Sequence, residues 1–148
     1  MSKDTTINAF LAQRTLAVVG VSRGGKKFGN SVYHDLKNKG YRVFPVNPHA
    51  GSIAGERCYP DLLVLPEHVG GAVLVIPPAE TERIVRQAAE AGIKRVWIQQ
   101  GAESEDALQF CESHGIDAVH GECIMMFSEP TKFPHKVHRW VRNLTRKH

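Results

Sequence analysis

Paired cysteines are the first feature that this chain lacks. Its three cysteines, Cys58, Cys111 and Cys123, are widely spaced and form no Cys-x-x-Cys motif. That spacing excludes an obvious zinc site and argues against a disulfide framework, so we expect reduced thiols in or near the core. The eight histidines are also scattered, without a carboxylate-rich neighbourhood. We therefore predict no metal site.

Long apolar runs are lacking as well. No run approaches the roughly 20 residues that a helix needs to cross a bilayer. The first 14 residues contain neither a long apolar segment nor a small-residue cleavage site, so no signal peptide is predicted. With 148 residues, of which 42% are hydrophobic, the whole chain is predicted to form one cytoplasmic domain with its own hydrophobic core.

Acidic residues are missing from the C-terminal stretch, residues 131–148. Six of the 19 Lys and Arg residues lie there, whereas the rest of the chain has 13 of them against 15 Asp and Glu. Apolar residues recur at helical spacing in this stretch, namely Val137, Trp140, Val141 and Leu144. We predict a basic amphipathic helix docked on the domain, with its charges in water rather than on nucleic acid or a membrane. A homodimer or another protein partner at this face stays open.

One pattern occurs three times: a helix-like stretch, a glycine, an apolar residue and a short β-branched strand. It surrounds Gly40, Gly92 and Gly115, and each glycine fits the left-handed position that ends a helix. Such alternation, with short connections, predicts right-handed βαβ units. The expected fold is α/β: a Rossmann-like, doubly wound, five-stranded parallel sheet in a three-layer αβα arrangement.

The predicted strands are nearly continuous apolar runs, as expected when helices cover both faces of a sheet. They occupy residues 16–20, 42–46, 72–76, 95–99 and 118–120. Helices are predicted at residues 30–39, 80–91 and 103–114. A short N-terminal helix, residues 5–13 within the first 15, is expected to pack beside the first of these. Residues 51–65 can hold a further short strand or turn, since their prolines argue against a long strand.

The loop after the first strand reads Gly20-Val21-Ser22-Arg23-Gly24-Gly25-Lys26-Lys27. Ligands of doubly wound sheets bind at the carboxyl ends of the strands, where this loop lies. Gly20 permits a tight turn, and the following helix offers free N–H groups and a positive dipole end to an anion. Hydroxyl and cationic donors suited to phosphate come from four side chains: Ser22, Arg23, Lys26 and Lys27. The loop therefore predicts a phosphate-binding site.

Two departures from the dinucleotide pattern count against NAD. A dinucleotide site prefers Gly-x-Gly-x-x-Gly and an acidic residue at the end of the second strand. This chain has Gly20-x-Ser22-x-x-Gly25 instead, and its second strand ends in Val46-Asn47-Pro48. A Walker A motif is not matched either, because Gly-Lys-Ser/Thr is absent. These residues alone leave the phosphate ligand unspecified.

Five strand-end motifs carry more information together. They read Gly20-Val21-Ser22, Arg42-Val43-Phe44-Pro45-Val46-Asn47-Pro48, Ala72-Val73-Leu74-Val75-Ile76-Pro77-Pro78, Val96-Trp97-Ile98-Gln99-Gln100-Gly101 and Gly121-Glu122-Cys123-Ile124-Met125. In this order they resemble the small stand-alone CoA-binding proteins, which are similar to the CoA-binding domain of the succinyl-CoA synthetase α subunit. The resemblance runs from about residue 16 to residue 126.

The resemblance implies coenzyme A or an acyl-CoA as the ligand. Ser22, Lys26 and the loop amides would meet the phosphates, and Asn47-Pro48 would border the ribose and its 3′-phosphate. Pro77-Pro78 would form an apolar wall for the adenine or the pantetheine. The full set of implied cofactor-binding residues is Gly20, Val21, Ser22, Arg23, Lys26, Lys27, Asn47, Pro48, Ile76, Pro77, Pro78, Gln99, Gln100 and Gly101, the last three lining the path of the pantetheine.

The resemblance implies a binding protein rather than an enzyme. The synthetase's second domain, with its phosphorylated histidine, has no room in 148 residues, and the sequence offers no catalytic constellation. We therefore expect a carrier, sensor or regulatory module. The alternatives are an NAD(P)- or acyl-CoA-dependent enzyme and a redox- or nucleic-acid-linked regulator. Cys123, just beyond the last strand, could exchange thiols with CoA, but we favour a buried structural cysteine.

Overall fold

A five-stranded parallel sheet forms the centre of the molecule. The computed structural model of the chain describes residues 2–22, 28–47, 52–53 and 56–128, and the basic helix predicted for residues 131–148 lies outside them. The strands are β1 (Thr15–Val19), β2 (Arg42–Val46), β3 (Ser52–Ile53), β4 (Glu56–Arg57), β5 (Gly71–Leu74), β6 (Arg95–Ile98) and β7 (Asp117–His120). The main sheet has the order β2-β1-β5-β6-β7 with every neighbouring pair parallel, which confirms the predicted Rossmann-like class.

Within the described residues, four helices accompany the sheet. They are α1 (Lys3–Leu11), α2 (Phe28–Asn38), α3 (Pro78–Glu90) and α4 (Glu105–Ser113). Short 3₁₀ helices follow at Leu62–Val64 and Ile124–Met126. In the part of the chain that the structure describes, no helix combines the length and the apolar character needed to span a membrane.

Side chains of each central strand alternate between two cores. In β1, Ala17 and Val19 pack into one cluster, and Leu16 and Val18 pack into the other. Residues of α3 and α4 complete the first cluster, whereas residues of α1 and α2 complete the second. Fully burying a Val or Leu side chain stabilises the fold by roughly 1.5–3 kcal/mol relative to exposure. A strand with two covered faces is therefore apolar along its whole length.

The N-terminal helix α1 lies on the same face of the sheet as α2, above β6 and β7. Ser2 caps it, because its hydroxyl oxygen accepts a hydrogen bond from the backbone N–H of Thr5 at 3.2 Å. Phe10 meets Trp97 of β6 edge to face, with 5.5 Å between the ring centroids. The helix begins and ends two residues earlier in the chain than predicted, and these contacts fix it there.

Three helices end at the predicted glycines. After α3, Gly92 has a φ of 76°, and the N–H of Ile93 donates to the carbonyl of Ala88 at 2.9 Å. Gly40 after α2 and Gly115 after α4 also have positive φ. The left-handed conformation expected at all three positions is confirmed.

Three strands are shorter at their carboxyl ends in the structure than the sequence predicted. The structure ends β1 at Val19, β5 at Leu74 and β6 at Ile98. The first residue beyond each of these points, Gly20, Val75 or Gln99, still donates one backbone hydrogen bond to the neighbouring strand, and it lines a cleft. The apolar or β-compatible character of these positions therefore reflects their place in the cleft lining as well as strand pairing.

The segment after β2 confirms the expected short strand and turn. β3 and β4 form an antiparallel hairpin, and Tyr59 then makes an isolated parallel bridge with Val46. The N–H of Tyr59 donates to the carbonyl of Pro45 at 2.9 Å, and its own carbonyl accepts from the N–H of Asn47 at 2.8 Å. Pro45 fits here because β2 is an edge strand, where a proline is tolerated.

Candidate functional site

Four strand ends open into one cleft of about 850 Å³. The helix after β1 packs on one face of the sheet and the helix after β5 on the other, so these two neighbours form the switch point at which doubly wound sheets bind ligands. A smaller cleft of about 480 Å³ lies along the outer edge of β2, away from the switch point. Seven of the predicted site residues line the larger cleft: Gly20, Asn47, Ile76, Pro77, Gln99, Gln100 and Gly101.

Two glycines fix the turn from β1 to α2. Gly20 has a φ of 113°, and a Cβ there would collide with the carbonyl oxygen of Val75. Gly29, in the first turn of α2, faces the Gly20 carbonyl so closely that a Cβ would overlap it. The start of α2 therefore packs directly on the end of β1, and its first residues Phe28 and Gly29 line the cleft, at the end of a helix that favours an anion.

Asn30 holds the loop that follows Gly20. Its side-chain oxygen accepts hydrogen bonds from the N–H of Ser22 at 2.9 Å and from the Ser22 hydroxyl at 3.0 Å, and its NH₂ group donates to the Ser22 carbonyl at 2.8 Å. Asn30 is only 1% exposed. Both donors of Ser22 are therefore engaged within the protein, and its hydroxyl would have to rotate to donate to a phosphate.

The end of β2 is tied to the same loop. The side-chain NH₂ group of Asn47 donates to the carbonyl of Val21 at 2.7 Å. Val21 itself is fully buried, so its contribution to a cleft is confined to its backbone. Asn47 thus sets the distance between the ends of β1 and β2, and it lines the cleft.

Part of the predicted phosphate loop lies outside the described residues. This applies to Arg23, Lys26 and Lys27, to the glycines between them, and to Pro48. Their assignment stays a prediction from the sequence.

The apolar wall comes from the end of β5. Ile76 and Pro77 line the cleft, and Pro78 takes the first position of α3 without belonging to the lining. A proline fits that position because the first N–H of a helix has no partner within the helix. Thr81, fully buried one turn later, donates to the carbonyl of Ala102 at 2.7 Å. This bond joins the wall to the loop after β6.

Gln99 has a structural environment that the sequence did not indicate. It lines the cleft but is 1% exposed. Its side-chain oxygen accepts from the N–H of Ile124 at 2.7 Å, and its NH₂ group lies 3.3 Å from the sulfur of Cys123. Its amide therefore holds the segment after β7, and the exposed neighbours Gln100 and Gly101 provide the accessible surface.

Glu103 joins two loops instead of starting α4 as predicted. One carboxylate oxygen accepts from the N–H of Gly101 at 2.8 Å and the other from the N–H of Gly121 at 3.0 Å. Ser104 caps the helix, accepting from the N–H of Ala107 at 3.3 Å. The helix begins after Ser104 because a serine N-cap satisfies a free N–H of the first turn.

Charged side chains enter the cleft from one side only among the residues that the structure describes. Asp61, Glu80 and Arg83 belong to the lining. Asp61 caps the 3₁₀ helix after it, with its carboxylate accepting from the N–H of Leu63 at 2.8 Å. Arg83 pairs with Glu80 at 3.0 Å.

The three thiols are all free. Burial raises the pKa of the Cys111 thiol to about 11, and burial also raises the pKa of Cys58. Cys123 is half-buried beside Gln99. Since the thiolate is the nucleophilic form, Cys58 and Cys111 are unsuited to chemistry at neutral pH. Among the described residues, no group of three His, Cys, Asp or Glu could hold a metal ion.

Gly29, Asn30 and Phe28 are site residues that sequence reasoning missed. Phe28 is half-exposed at the cleft rim. The available signal was the Gly-Asn pair inside a predicted helix start, because both residues are poor helix formers. A poor helix former that persists in a first turn indicates a packing or hydrogen-bonding requirement.

Known proteins resemble this chain in sequence and in fold. A family model described as CoA binding domain matches residues 14–129. The ADP-forming acetate–CoA ligase II of Archaeoglobus fulgidus is 32% identical over an alignment of 115 residues, with a coverage of 70% of this chain and 17% of the ligase. The protein YneT of Bacillus subtilis is 23% identical over 119 residues, which make up 80% of this chain and 88% of YneT.

A solved structure of a conserved hypothetical protein from Pyrococcus furiosus is also similar. Its TM-score is 0.73 at 42% sequence identity, and the alignment covers 76% of this chain and 97% of that one. The chain therefore spans a small part of the ligase but nearly all of this neighbour and of YneT. Both the strand-end motifs and the family model lead to one conclusion: the chain belongs to the CoA binding domain family.

Proposed function

We propose that the cleft at the switch point binds coenzyme A or an acyl-CoA, and that the chain acts as a non-catalytic carrier, sensor or regulatory module in the cytoplasm. The observation that carries this proposal is the cleft itself. It crosses the ends of β2, β1, β5 and β6 in that spatial order, which suits an elongated ligand lying across the strand ends.

Residue roles follow from that orientation. The diphosphate would lie over Gly20 and the start of α2, where N–H groups and the helix dipole favour an anion. The adenosine would extend towards Asn47, and the pantetheine would extend past Pro77 to Gln100 and Gly101. Lys26, Lys27 and Arg23 would add cationic donors from the loop, and the Ser22 hydroxyl would rotate away from Asn30 to donate to the phosphate.

The non-catalytic role is supported by what the described cleft residues can do. Gln99 is fixed by two hydrogen bonds, and the described carboxylates either cap a helix or pair with arginine. The family's ligase members are several times longer than the match, so their chemistry can lie in other parts of those chains. YneT, in contrast, is matched over 88% of its length.

Calorimetry with CoA, AMP and NAD tests the binding proposal. We expect binding of CoA and weaker or no binding of NAD. An absence of heat with CoA at near-millimolar concentration would end the proposal. The double substitution Lys26→Ala, Lys27→Ala should weaken CoA binding and flatten its salt dependence, because exposed charges are screened by salt. Lys94→Ala, at the opposite end of β6, is the matched control and should change neither.

Release of free thiol from acetyl-CoA tests the non-catalytic role. We expect no release above the buffer rate. Turnover that disappears in Cys123→Ser would instead establish an enzyme and overturn the carrier proposal, even if CoA binding is confirmed.

A further inference from the structure

Two arginines on α3 have different surroundings although both pair with glutamates of the same helix. Arg86 donates to Glu82 through Nε at 3.0 Å and Nη2 at 2.8 Å, and its guanidinium lies 4.5 Å from the ring centroid of Phe110. Arg83 makes a single contact, from Nη2 to an oxygen of Glu80 at 3.0 Å. Their side chains are similarly exposed, 60% for Arg83 and 57% for Arg86. Arg83 therefore keeps most of its five N–H donors for another partner.

Only Arg83 of these two faces the cleft. It lies on the cleft side of α3 with Ile84 and Gln87, whereas Arg86 is not part of the lining. Among the described lining residues, Arg83 is also the single lysine or arginine. A cation that pairs with one exposed carboxylate in a cleft is a candidate for exchange, because a phosphate can replace one exposed ion pair with a bidentate contact.

We propose that Arg83 binds the 3′-phosphate on the ribose of CoA by moving from Glu80 to that group. The inference rests on the proposed function and deepens it. CoA carries its negative charge in two places, the diphosphate and the 3′-phosphate, and the proposed function puts the diphosphate at the start of α2. α3 packs on the opposite face of the sheet from α2, so Arg83 approaches the cleft from the other side. A planar guanidinium matches the geometry of a phosphate.

Glu80 then acts as an internal competitor for Arg83. Its carboxylate pairs with Arg83 in the structure and would repel an incoming phosphate. Removing its charge should strengthen CoA binding, whereas removing the charge of Arg83 should weaken it. A general disturbance of α3 would not produce effects of opposite sign.

The experiment compares CoA with dephospho-CoA, which lacks only the 3′-phosphate. Calorimetry at low ionic strength uses the wild type, Arg83→Gln, Glu80→Gln and the matched control Arg86→Gln. We expect Arg83→Gln to weaken CoA binding by about 5- to 20-fold and to leave dephospho-CoA within about twofold. Glu80→Gln should tighten the binding of CoA but not that of dephospho-CoA, and Arg86→Gln should change the binding of neither ligand.

The outcomes separate this inference from the proposed function. Suppose that the wild type binds CoA, but that Arg83→Gln weakens the binding of CoA and dephospho-CoA equally, or weakens the binding of neither. Arg83 then does not recognise the 3′-phosphate. If the wild type binds neither ligand, both the proposed function and this inference are wrong. Thermal unfolding of the four proteins checks that the substitutions leave the fold intact, since all the exchanged side chains are exposed.

Discussion

The two halves of the cleft are stabilised by different kinds of contact. We define the β1 half as Gly20, Ser22, Gly29 and Asn30, and the β6 half as Thr81, Gln99, Gly101 and Glu103. In the β1 half, backbone atoms approach so closely that two positions exclude even a Cβ. In the β6 half, a Cβ at Gly101 would meet nothing within 4 Å, and side-chain hydrogen bonds join the loops.

The β1 half therefore combines steric contact with the hydrogen bonds of Asn30, whereas hydrogen bonds from side chains join the loops of the β6 half. Backbone contact cannot be adjusted by rotating a side chain, so the β1 half presents a fixed surface to an anion. The hydrogen bonds of the β6 half can be exchanged one at a time, so we expect that half to adjust its shape more readily than the β1 half.

The largest effect is expected from Gly20→Ala, compared with Gly101→Ala. Both glycines have positive φ, 113° and 97°, but only the first is crowded by a carbonyl oxygen. Gly101→Ala should cost roughly 1–2 kcal/mol of unfolding free energy for its backbone conformation alone. Gly20→Ala should cost roughly 3 kcal/mol or more, because overlap adds to that term. Urea unfolding measures both, and equal losses would contradict the steric account of the β1 half.

A second comparison uses the buried amides of the two halves, Asn30→Ala and Gln99→Ala. Each substitution leaves buried polar groups without their hydrogen-bond partners, so each should lower the unfolding free energy by roughly 1–3 kcal/mol. Their effects on ligand affinity should differ. Asn30→Ala should weaken binding of adenosine 3′,5′-bisphosphate, and Gln99→Ala should leave it unchanged, since that fragment lacks pantetheine. Calorimetry decides, and a similar loss for both variants would show that the halves are not independent.

Alkaline pH should destabilise the protein through Cys111, on the helix that follows the β6 half. Its pKa rises from 9.0 to about 11 on folding, so the buried neutral thiol stabilises the fold fully below pH 9. That contribution is lost as pH rises through 11, and it amounts to about 2 kcal/mol between pH 8 and 11. Urea unfolding across this range should show a shallower decline for Cys111→Ala than for the wild type. Parallel curves would refute the assignment.

The smallest effect is expected from Thr81→Val, which keeps the side-chain shape and removes one hydrogen bond to Ala102. A single net hydrogen bond and a carbonyl left without this partner correspond to about 1–2 kcal/mol of unfolding free energy. Faster amide exchange at the Ala102 loop would locate the loss in the β6 half. Exchange that rises equally at the β1 turn would mean that Thr81 supports the whole cleft.

Sequence reasoning reached the fold because its signals were local. The glycines that end α2, α3 and α4 and the apolar strands determine each βαβ unit within a few residues. The family was accessible from motifs at successive strand ends, since those segments meet at one edge of a parallel sheet. The predicted carboxyl ends of the strands were less accurate. Residues such as Ile76 are apolar because they line the cleft, and apolar character alone does not distinguish a cleft-lining residue from a strand residue.

The site was less predictable because several of its contacts link distant parts of the chain. Ser22 reads as a phosphate donor in isolation, yet its donors are engaged by Asn30. Gln99 reads as a ligand-facing amide, yet it holds the segment after β7. Arg83 carries no signal in the sequence, because a basic residue on an amphipathic helix is ordinary. Only packing of α3 beside the cleft distinguishes it from Arg86.

Pro45 and Tyr59 at the outer edge of β2 have a consequence for assembly. An exposed strand edge can recruit a strand from another molecule, which leads to swapped or fibrous assemblies. Here Pro45 has no N–H to offer, and its carbonyl already accepts from Tyr59. The carboxyl end of β2 is thus closed to intermolecular strand pairing, although β2 is an edge strand of the main sheet.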